Sequence, residues 1–349
     1  MKIVIATGGS GGHIFPALQT ACVLRDRGHE VIFVGVLGLA QEKINTQGFQ
    51  TFIIDAKGLN NKSLIGLLGF SVLMLQATGQ AAKLLKKIGP DKVIGFGSYG
   101  SFAVVLSAGL LNIPTMIHEQ NVMPGKANRL LTKLVKKIAI SFSETHNYLH
   151  SKKTILTGCP CYHRTPSDSR EVLLKKFSLD PTRKTILVLG GSQGSQKLNE
   201  VFFEMMFSLG KQNFVQAIHM TGIKEFSLYA NKHHNNSLPV KVFDFINFIE
   251  EAYAVSDLVI ARAGATTVTE LGFWGIPSIL VPYPLADGHQ KYNADILVKG
   301  GLAKVIEQKN LTPKILINSV QSILEGAIKH KVLFKDDPAL KLAMALENL

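Results

Sequence analysis

Nine residues, Arg262-Ala263-Gly264-Ala265-Thr266-Thr267-Val268-Thr269-Glu270, follow an apolar run at 257–261 and lead through a tight turn at 262–265 into a stretch at 266–272 that favours helix. A strand–turn–helix junction of this kind gathers unpaired backbone N–H groups and the positive end of a helix dipole at one point. An anion, most often phosphate, is the natural guest there. Glu270 does not suit phosphate, but its carboxylate suits two vicinal hydroxyls, as on a ribose. Arg262 adds a cation. Downstream, Asp287-Gly288-His289-Gln290 reads as a polar loop whose donors and acceptors match a sugar in size. The turn alone fits any α/β protein; with Glu270 and the polar loop it reads as a nucleotide-sugar site.

Three other glycine-rich turns carry polar groups. Gly8-Gly9-Ser10-Gly11-Gly12-His13 follows an apolar run at 2–6 and precedes a helical pattern at 15–27, which Gly28 ends. The dinucleotide pattern G-x-G-x-x-G fails, because Ile14 stands where its third glycine belongs and no acidic residue closes the strand expected at 30–35. What remains is a turn that admits a ligand close to the backbone, with an imidazole beside it. Gly97-Ser98-Tyr99-Gly100-Ser101 is the second such turn. Gly190-Gly191-Ser192-Gln193-Gly194-Ser195 is the third; its first five residues spell G-x-S-x-G, but the serine stands beside a glycine in a phosphate-type loop and does not read as a hydrolase nucleophile. His118-Glu119-Gln120-Asn121 closes a strand expected at 114–118, the end at which α/β sites lie. No D-x-D, H-E-x-x-H or Cys/His cluster occurs, so no metal or other cofactor is expected. A diphosphate leaving group would then be stabilised by backbone N–H groups, helix ends and Arg262. Glycosyl transfer also needs a base near the acceptor hydroxyl. His13 is the first candidate and His118 or Glu119 the next, although a histidine at a helix start often only caps or packs.

The elements that must hold these groups repeat a plan. A chain of 349 residues exceeds one usual core, and the pattern of strand, glycine loop and helix at 2–27 restarts at 185–209. Further strands are expected at 92–96, 155–158, 215–220, 240–243 and 277–281. The fold class is α/β, with two doubly wound domains whose glycine loops face a cleft. The boundaries expected are 1–158, 159–336, and a helix at 337–349 that reaches back to the first domain.

Charge is unevenly shared. Residues 1–158 hold 17 Lys and Arg against 7 Asp and Glu, whereas 159–349 hold 21 against 18. An anionic substrate, an anionic membrane or nucleic acid would each explain a basic first half; no nucleic-acid motif or aromatic-and-basic alternation is present, so nucleic acid ranks last. Residues 63–87 form a long apolar helix with Ser71, Gln76, Thr78 and Gln80 inside it, a poor membrane span but apolar enough over 64–75 to seat on a bilayer interface. A basic helix is expected at 125–138, with Lys126, Arg129, Lys133, Lys136 and Lys137. Three cysteines make no disulfide framework, Cys159-Pro160-Cys161 has the wrong spacing for a redox or zinc pair, and no signal peptide precedes the first strand.

GGSGGH (8–13), GFGSY (95–99), HEQN (118–121), GGSQGS (190–195), RAGATTVTE (262–270) and DGHQ-x-x-NA (287–294) resemble, in order and over nearly the whole chain, the motifs of the MurG family. These are the UDP-N-acetylglucosamine:lipid I N-acetylglucosaminyltransferases of peptidoglycan synthesis. The resemblance implies a GT-B fold of two Rossmann-like domains, with the donor UDP-GlcNAc bound mainly by the C-terminal one. It implies an inverting transfer of GlcNAc to the muramyl 4-hydroxyl of lipid I, giving lipid II, at the cytoplasmic face of an anionic membrane where the enzyme docks peripherally. It further implies that His13 is the base, that Ser10, Gly11 and Gly12 line the diphosphate or acceptor side, and that Tyr99, His118, Glu119 and Asn128 line the acceptor cleft. Asn121 would reach the donor sugar, Ser192 the UDP phosphates, Ile246 the uracil, and Ala265, Thr266, Thr267, Val268 and Thr269 the sugar and diphosphate. Glu270 would hold the ribose and Gln290 the N-acetylglucosamine; Asn199 and Arg262 match without a firm role. One departure stands out. The family usually reads GNPVR where this chain has Gly158-Cys159-Pro160-Cys161-Tyr162, so Tyr162 replaces an arginine and Arg164 is the candidate substitute. Ser10 stands where threonine is commoner. Rival readings are another GT-B enzyme (a diacylglycerol glycosyltransferase or a UDP-GlcNAc epimerase) and a non-catalytic sugar-nucleotide-binding subunit.

Overall fold

A computed structural model describes residues 1–349 apart from 9–10, 39, 57–63, 162–163, 192–193, 210–213 and 285–287. The chain divides into two compact units, Met1–Cys161 with Asp336–Leu349, and Tyr162–Lys335.

The first unit runs β1 (Lys2–Gly8), α1 (Gly11–Asp26), β2 (Glu30–Val36), α2 (Ala40–Thr46), β3 (Gln50–Ile53), α3 (Leu64–Ile88), β4 (Lys92–Gly95), α4 (Ser98–Leu110), β5 (Thr115–Glu119), α5 (Lys126–Leu131), β6 (Lys137–Ile140) and β7 (Thr154–Leu156). Its seven strands form one parallel sheet in the order β3-β2-β1-β4-β5-β6-β7. Parallel sheets bury both faces, which is why these strands are continuous apolar runs. Alternation then sorts each run. Ile3, Ile5, Phe33 and Ile94 point into one core with Leu18, Ala21 and Leu24 of α1. Val4, Ala6, Ile32 and Val93 point into another with Ala81 and Leu85 of α3 and Val104 and Ala108 of α4.

The second unit runs α6 (Arg170–Lys176), β8 (Lys184–Leu189), α7 (Gln196–Leu209), β9 (Val215–Met220), α8 (Phe226–Asn235), β10 (Val240–Phe243), α9 (Ile249–Ala254), β11 (Leu258–Ala261), α10 (Ala265–Trp274), β12 (Ser278–Leu280), α11 (His289–Lys299), β13 (Ala303–Val305) and α12 (Pro313–Ser322). Its parallel sheet has the order β10-β9-β8-β11-β12-β13. Ser169 and Thr312 cap α6 and α12 by accepting from Val172 N and Ile315 N, and Pro313 occupies the first turn where its missing N–H costs nothing.

The last helix, α13 (Pro338–Glu347), belongs to the first unit. Asp337 caps it through Ala339 N and Leu340 N. Leu342, Ala343 and Leu346 enter the core with Ala21 and Leu24. Glu347 accepts both Arg27 bonds at 2.7 Å and faces His29 Nε2 at 2.8 Å. The Arg27 guanidinium, then His29, hold its carboxyl down at about 2.

Three sequence expectations are corrected. The basic helix at 125–138 is only six residues long, because Ile138, Ala139 and Ile140 are fully buried as a strand laddered to β5 and β7. Sheet pairing overrides the helical spacing of its leucines. The polar loop at 287–290 is likewise half helix: His289 and Gln290 open α11, and Asp287 lies outside the described residues. The helix expected at 15–27 also starts earlier, at Gly11, so Gly11, Gly12 and His13 form its first turn.

Candidate functional site

In each sheet the strand order reverses beside its first strand, between β1 and β4 in one unit and between β8 and β11 in the other. Chains leaving the carboxyl ends there diverge to opposite faces and leave a crevice. The glycine turns that the sequence singled out open at those two places, with residues 8, 11–13 and 97–101 in the first unit and 190–191, 194–195 and 262–265 in the second.

His13 is partly buried on the first turn of α1, and its Nδ1 lies 3.3 Å from Gln120 Oε1. Gly97, with φ +87°, lies flat against the ring; a Cβ added there would stand 3.0 Å from Cε1 and 3.1 Å from Nδ1. Ser98 follows at φ +77°, a strained conformation for a residue with a side chain. Gly97 is therefore the glycine the site needs. Burial pushes the His13 pKa below its ordinary 6.5, while the Glu119 charge, Gln120 and the Phe96 carbonyl push the other way.

His118 and Glu119, the other two base candidates, are buried. His118 gives Nε2 to the Gly158 carbonyl at 3.0 Å and meets Gln120 Nε2 at Nδ1, 3.2 Å away. Burial lowers its pKa to about 4. Glu119, 1% exposed, accepts from Asn121 N and Nδ2, Gly125 N and Asn128 Nδ2 at 2.8–3.3 Å. A buried carboxylate is tolerable when so many donors meet it. It folds the loop that starts α5, and neither group is exposed to a hydroxyl. Asn128 is buried with it, whereas Tyr99 is exposed and Asn121 is partly exposed.

In the second unit Gly264 precedes α10 in an extended conformation with no side-chain cap. Val268 N returns to the Gly264 carbonyl, so the N–H groups of Ala265, Thr266 and Thr267 lack an intrahelical acceptor. Thr266 and Thr267 are partly exposed, Val268 is buried, and the Thr269 hydroxyl bonds back to Ala265 O. Glu270 is partly exposed, and Tyr253, itself 1% exposed, donates its hydroxyl to Glu270 Oε2 at 2.9 Å. Gln290 Oε1 accepts from Ala263 N at 3.1 Å and Tyr283 N at 2.9 Å, which docks the start of α11 against the turn. Its amide NH2 has no partner among the described residues. Ile246 is buried in the loop after β10.

One residue differs from expectation, and another that matched without a firm role has a place in the frame. The Arg262 guanidinium, expected at a diphosphate, holds Val281 O at 3.0 Å, Ser195 Oγ at 2.6 Å and Gln308 Oε1 at 2.6 Å. It ties the exits of β8, β11 and β12 to one another. Asn199 is fully buried and bonds Thr221 O, Glu225 Oε2 and His219 Nε2. Both are committed to the frame. Arg164 is exposed, while Ser10, Ser192 and Tyr162 lie outside the described residues. Cys159 and Cys161 are buried. Among the described residues no three His, Cys, Asp or Glu side chains gather into a cluster that could hold a metal ion. Gln120, Phe96, Gly97 and Tyr253 are the additions; all but Tyr253 stood in quoted motifs.

Comparison with known proteins places the chain. Residues 3–140 match the glycosyltransferase family 28 N-terminal domain and residues 185–341 its C-terminal domain. The chain is 39% identical over 329 residues, covering 93% of it and 90% of the relative, to the UDP-N-acetylglucosamine–N-acetylmuramyl-(pentapeptide) pyrophosphoryl-undecaprenol N-acetylglucosamine transferase of Thermodesulfovibrio yellowstonii. It is 39% identical over 344 residues to the protein of the same name in Halothermothrix orenii, covering 95% and 92%. The crystal structure of Acinetobacter baumannii MurG superposes with a TM-score of 0.77 at 27% identity, covering 100% of this chain and 99% of that one. With two parallel-sheet Rossmann-like units and both family 28 domains in sequence, the chain has the GT-B fold and belongs to the MurG family of N-acetylglucosamine transferases.

Proposed function

We propose that this protein moves N-acetylglucosamine from UDP-GlcNAc to the muramyl 4-hydroxyl of lipid I, giving lipid II. The observation that carries the reading is the match at 39% identity over more than nine-tenths of the chain to transferases named for that reaction. The site geometry supports a division of labour. The start of α10, with three N–H groups in want of acceptors, suits the leaving diphosphate, and no metal is invoked in that role. Glu270 takes the ribose hydroxyls and the Gln290 amide takes the N-acetylglucosamine, with Ile246 against the uracil and Asn121 at the sugar. His13 takes the acceptor proton, with Tyr99 on the acceptor side and Ser10, Gly11 and Gly12 on the diphosphate or acceptor side. Ser192 meets the UDP phosphates.

The purified protein is expected to release UDP from UDP-GlcNAc only when lipid I or a short-chain analogue is added. UDP release at the same rate without acceptor, or turnover of diacylglycerol instead, sinks this reading.

The acceptor is a lipid, and the first unit offers a surface for it. Leu110, Leu130 and Leu134 are exposed at 67%, 69% and 45%, beside Lys126, Arg129, Lys133 and Lys136. Val72, Leu73 and Leu75 of α3 are exposed as well. No helix among the described residues is long and apolar enough to cross a membrane. Apolar side chains rimmed by cations suit the headgroup boundary of an anionic bilayer. Vesicles containing phosphatidylglycerol are expected to carry the protein upward on flotation, and 0.5 M salt, on the order of several times physiological ionic strength, to release most of it. Equal flotation with neutral vesicles counts against this surface.

A further inference from the structure

Two backbone carbonyls set the direction of a chain of side chains beside His13. A carbonyl oxygen only accepts. The Phe96 carbonyl, 3.0 Å from Gln120 Nε2, therefore selects the NH2 end of that amide. Oε1 is left as the end that faces His13 Nδ1 at 3.3 Å. The Gly158 carbonyl makes the same selection from the far side. It needs a proton on His118 Nε2, 3.0 Å away. His118 is neutral, since burial lowers its pKa to about 4, so its Nδ1 carries a lone pair. That lone pair accepts the second N–H of Gln120 at 3.2 Å. Ser141 does not disturb the order: its hydroxyl proton goes to Glu119 O at 2.8 Å, leaving its oxygen to face His118 Nε2 at 3.5 Å as an acceptor. Amide orientation and histidine tautomer are thus dictated twice over, from opposite ends, with one answer.

We propose that Gln120 and His118 act as positioning residues that hold His13 as the Nδ1–H tautomer, so that Nε2 presents the lone pair that takes the acceptor's proton. Histidine in water favours the opposite tautomer, with the proton on Nε2, so the chain works against the side chain's own preference. As the 4-hydroxyl oxygen bonds to the anomeric carbon, its proton passes to Nε2. The bond from that carbon to the diphosphate breaks and UDP leaves with the electron pair. The imidazolium keeps Nδ1–H on the Gln120 carbonyl and later returns its extra proton to water. Gln120 moves no proton. It fixes which nitrogen is available, and a wrong tautomer in a catalytic triad lowers turnover by about 10⁴-fold. The use made of Nε2 rests on the transferase reading above, but the tautomer itself does not.

The test is imidazole 15N NMR on the full-length protein labelled at histidine, without substrate. His13, identified by its loss in His13→Asn, is expected to show a protonated Nδ1 and a bare Nε2. Finding the proton on Nε2 overturns the proposal. Gln120→Leu is expected to shift His13 toward Nε2–H and to lower kcat by about 10²-fold or more, with KM for UDP-GlcNAc changed little. Gln120→Glu, which still accepts from Nδ1, should recover part of that loss. An unaltered tautomer and kcat in Gln120→Leu overturns the proposal, and the wild-type spectrum decides the matter if that variant fails to fold. The Nδ1–H tautomer in a protein that transfers no GlcNAc would overturn the function and leave the tautomer standing.

Discussion

His13→Ala is expected to lower kcat for GlcNAc transfer by about 10²–10⁴-fold, the usual worth of a positioned base. KM for UDP-GlcNAc should stay within about 3-fold, because the interaction lost belongs to the transition state. The assay is steady-state UDP release with saturating lipid I analogue. An unchanged kcat removes His13 from the chemistry. The pH profile gives a second reading. A base works only when unprotonated, and burial lowers the His13 pKa below 6.5 against the opposing pull of Glu119, Gln120 and the Phe96 carbonyl. His118, the other ionisable neighbour, is neutral. Turnover should therefore hold level as pH falls through neutrality and decline only below 6.5. A decline centred above 6.5 would contradict that burial.

Glu270→Ala is expected to raise KM for UDP-GlcNAc by about 10–100-fold with a smaller change in kcat, as for the loss of hydrogen bonds to a charged acceptor. The Tyr253 hydroxyl holds one carboxylate oxygen at 2.9 Å, so removing the carboxylate also takes that bond from a buried tyrosine. Comparison with a 2′-deoxyribose donor separates the two effects. If Glu270 holds the ribose, the mutational penalty shrinks on the deoxy donor, as coupling in a double-mutant cycle requires. Equal penalties on both donors would assign Glu270 to the frame alone.

The outline of the fold was written in the sequence because parallel strands must be apolar on both faces. Runs such as Ile3-Val4-Ile5-Ala6 and Ile186-Leu187-Val188-Leu189 announce themselves, and the glycines after them mark the turns. Strands β9 and β10 occur at the residues expected for them. Less regular pieces left weaker signals. The strand β6 begins inside a basic stretch whose preceding leucines have helical spacing, and only pairing with β5 and β7 ends the helix before it. Gln290 is in the polar stretch that the sequence marked, but its acceptance from Ala263 N and Tyr283 N depends on a fold that brings 283 and 290 to 263. Polar residues beside a glycine turn and at a strand end put His13 first as base, with His118 or Glu119 next. Burial separates them: a carboxylate with four protein donors is already occupied, whereas His13 keeps an edge exposed. Arg262 misled for the same reason, since a cation beside a phosphate-type turn looks the same in sequence whether it faces a ligand or three protein acceptors. Tyr253 left no trace, being one more aromatic in an amphipathic segment.

A ribosome making this chain finishes residues 162–335 before it delivers α13. Amino-terminal domains generally fold first during synthesis. Here the apolar stripe of α1, including Ala21 and Leu24, has no cover from Leu342, Ala343 and Leu346 until the last stretch emerges. The lobe that begins translation is among the last to be sealed. Nascent chains stalled before residue 337 would accordingly display that stripe to chaperones, though His13 had been synthesised more than three hundred residues earlier.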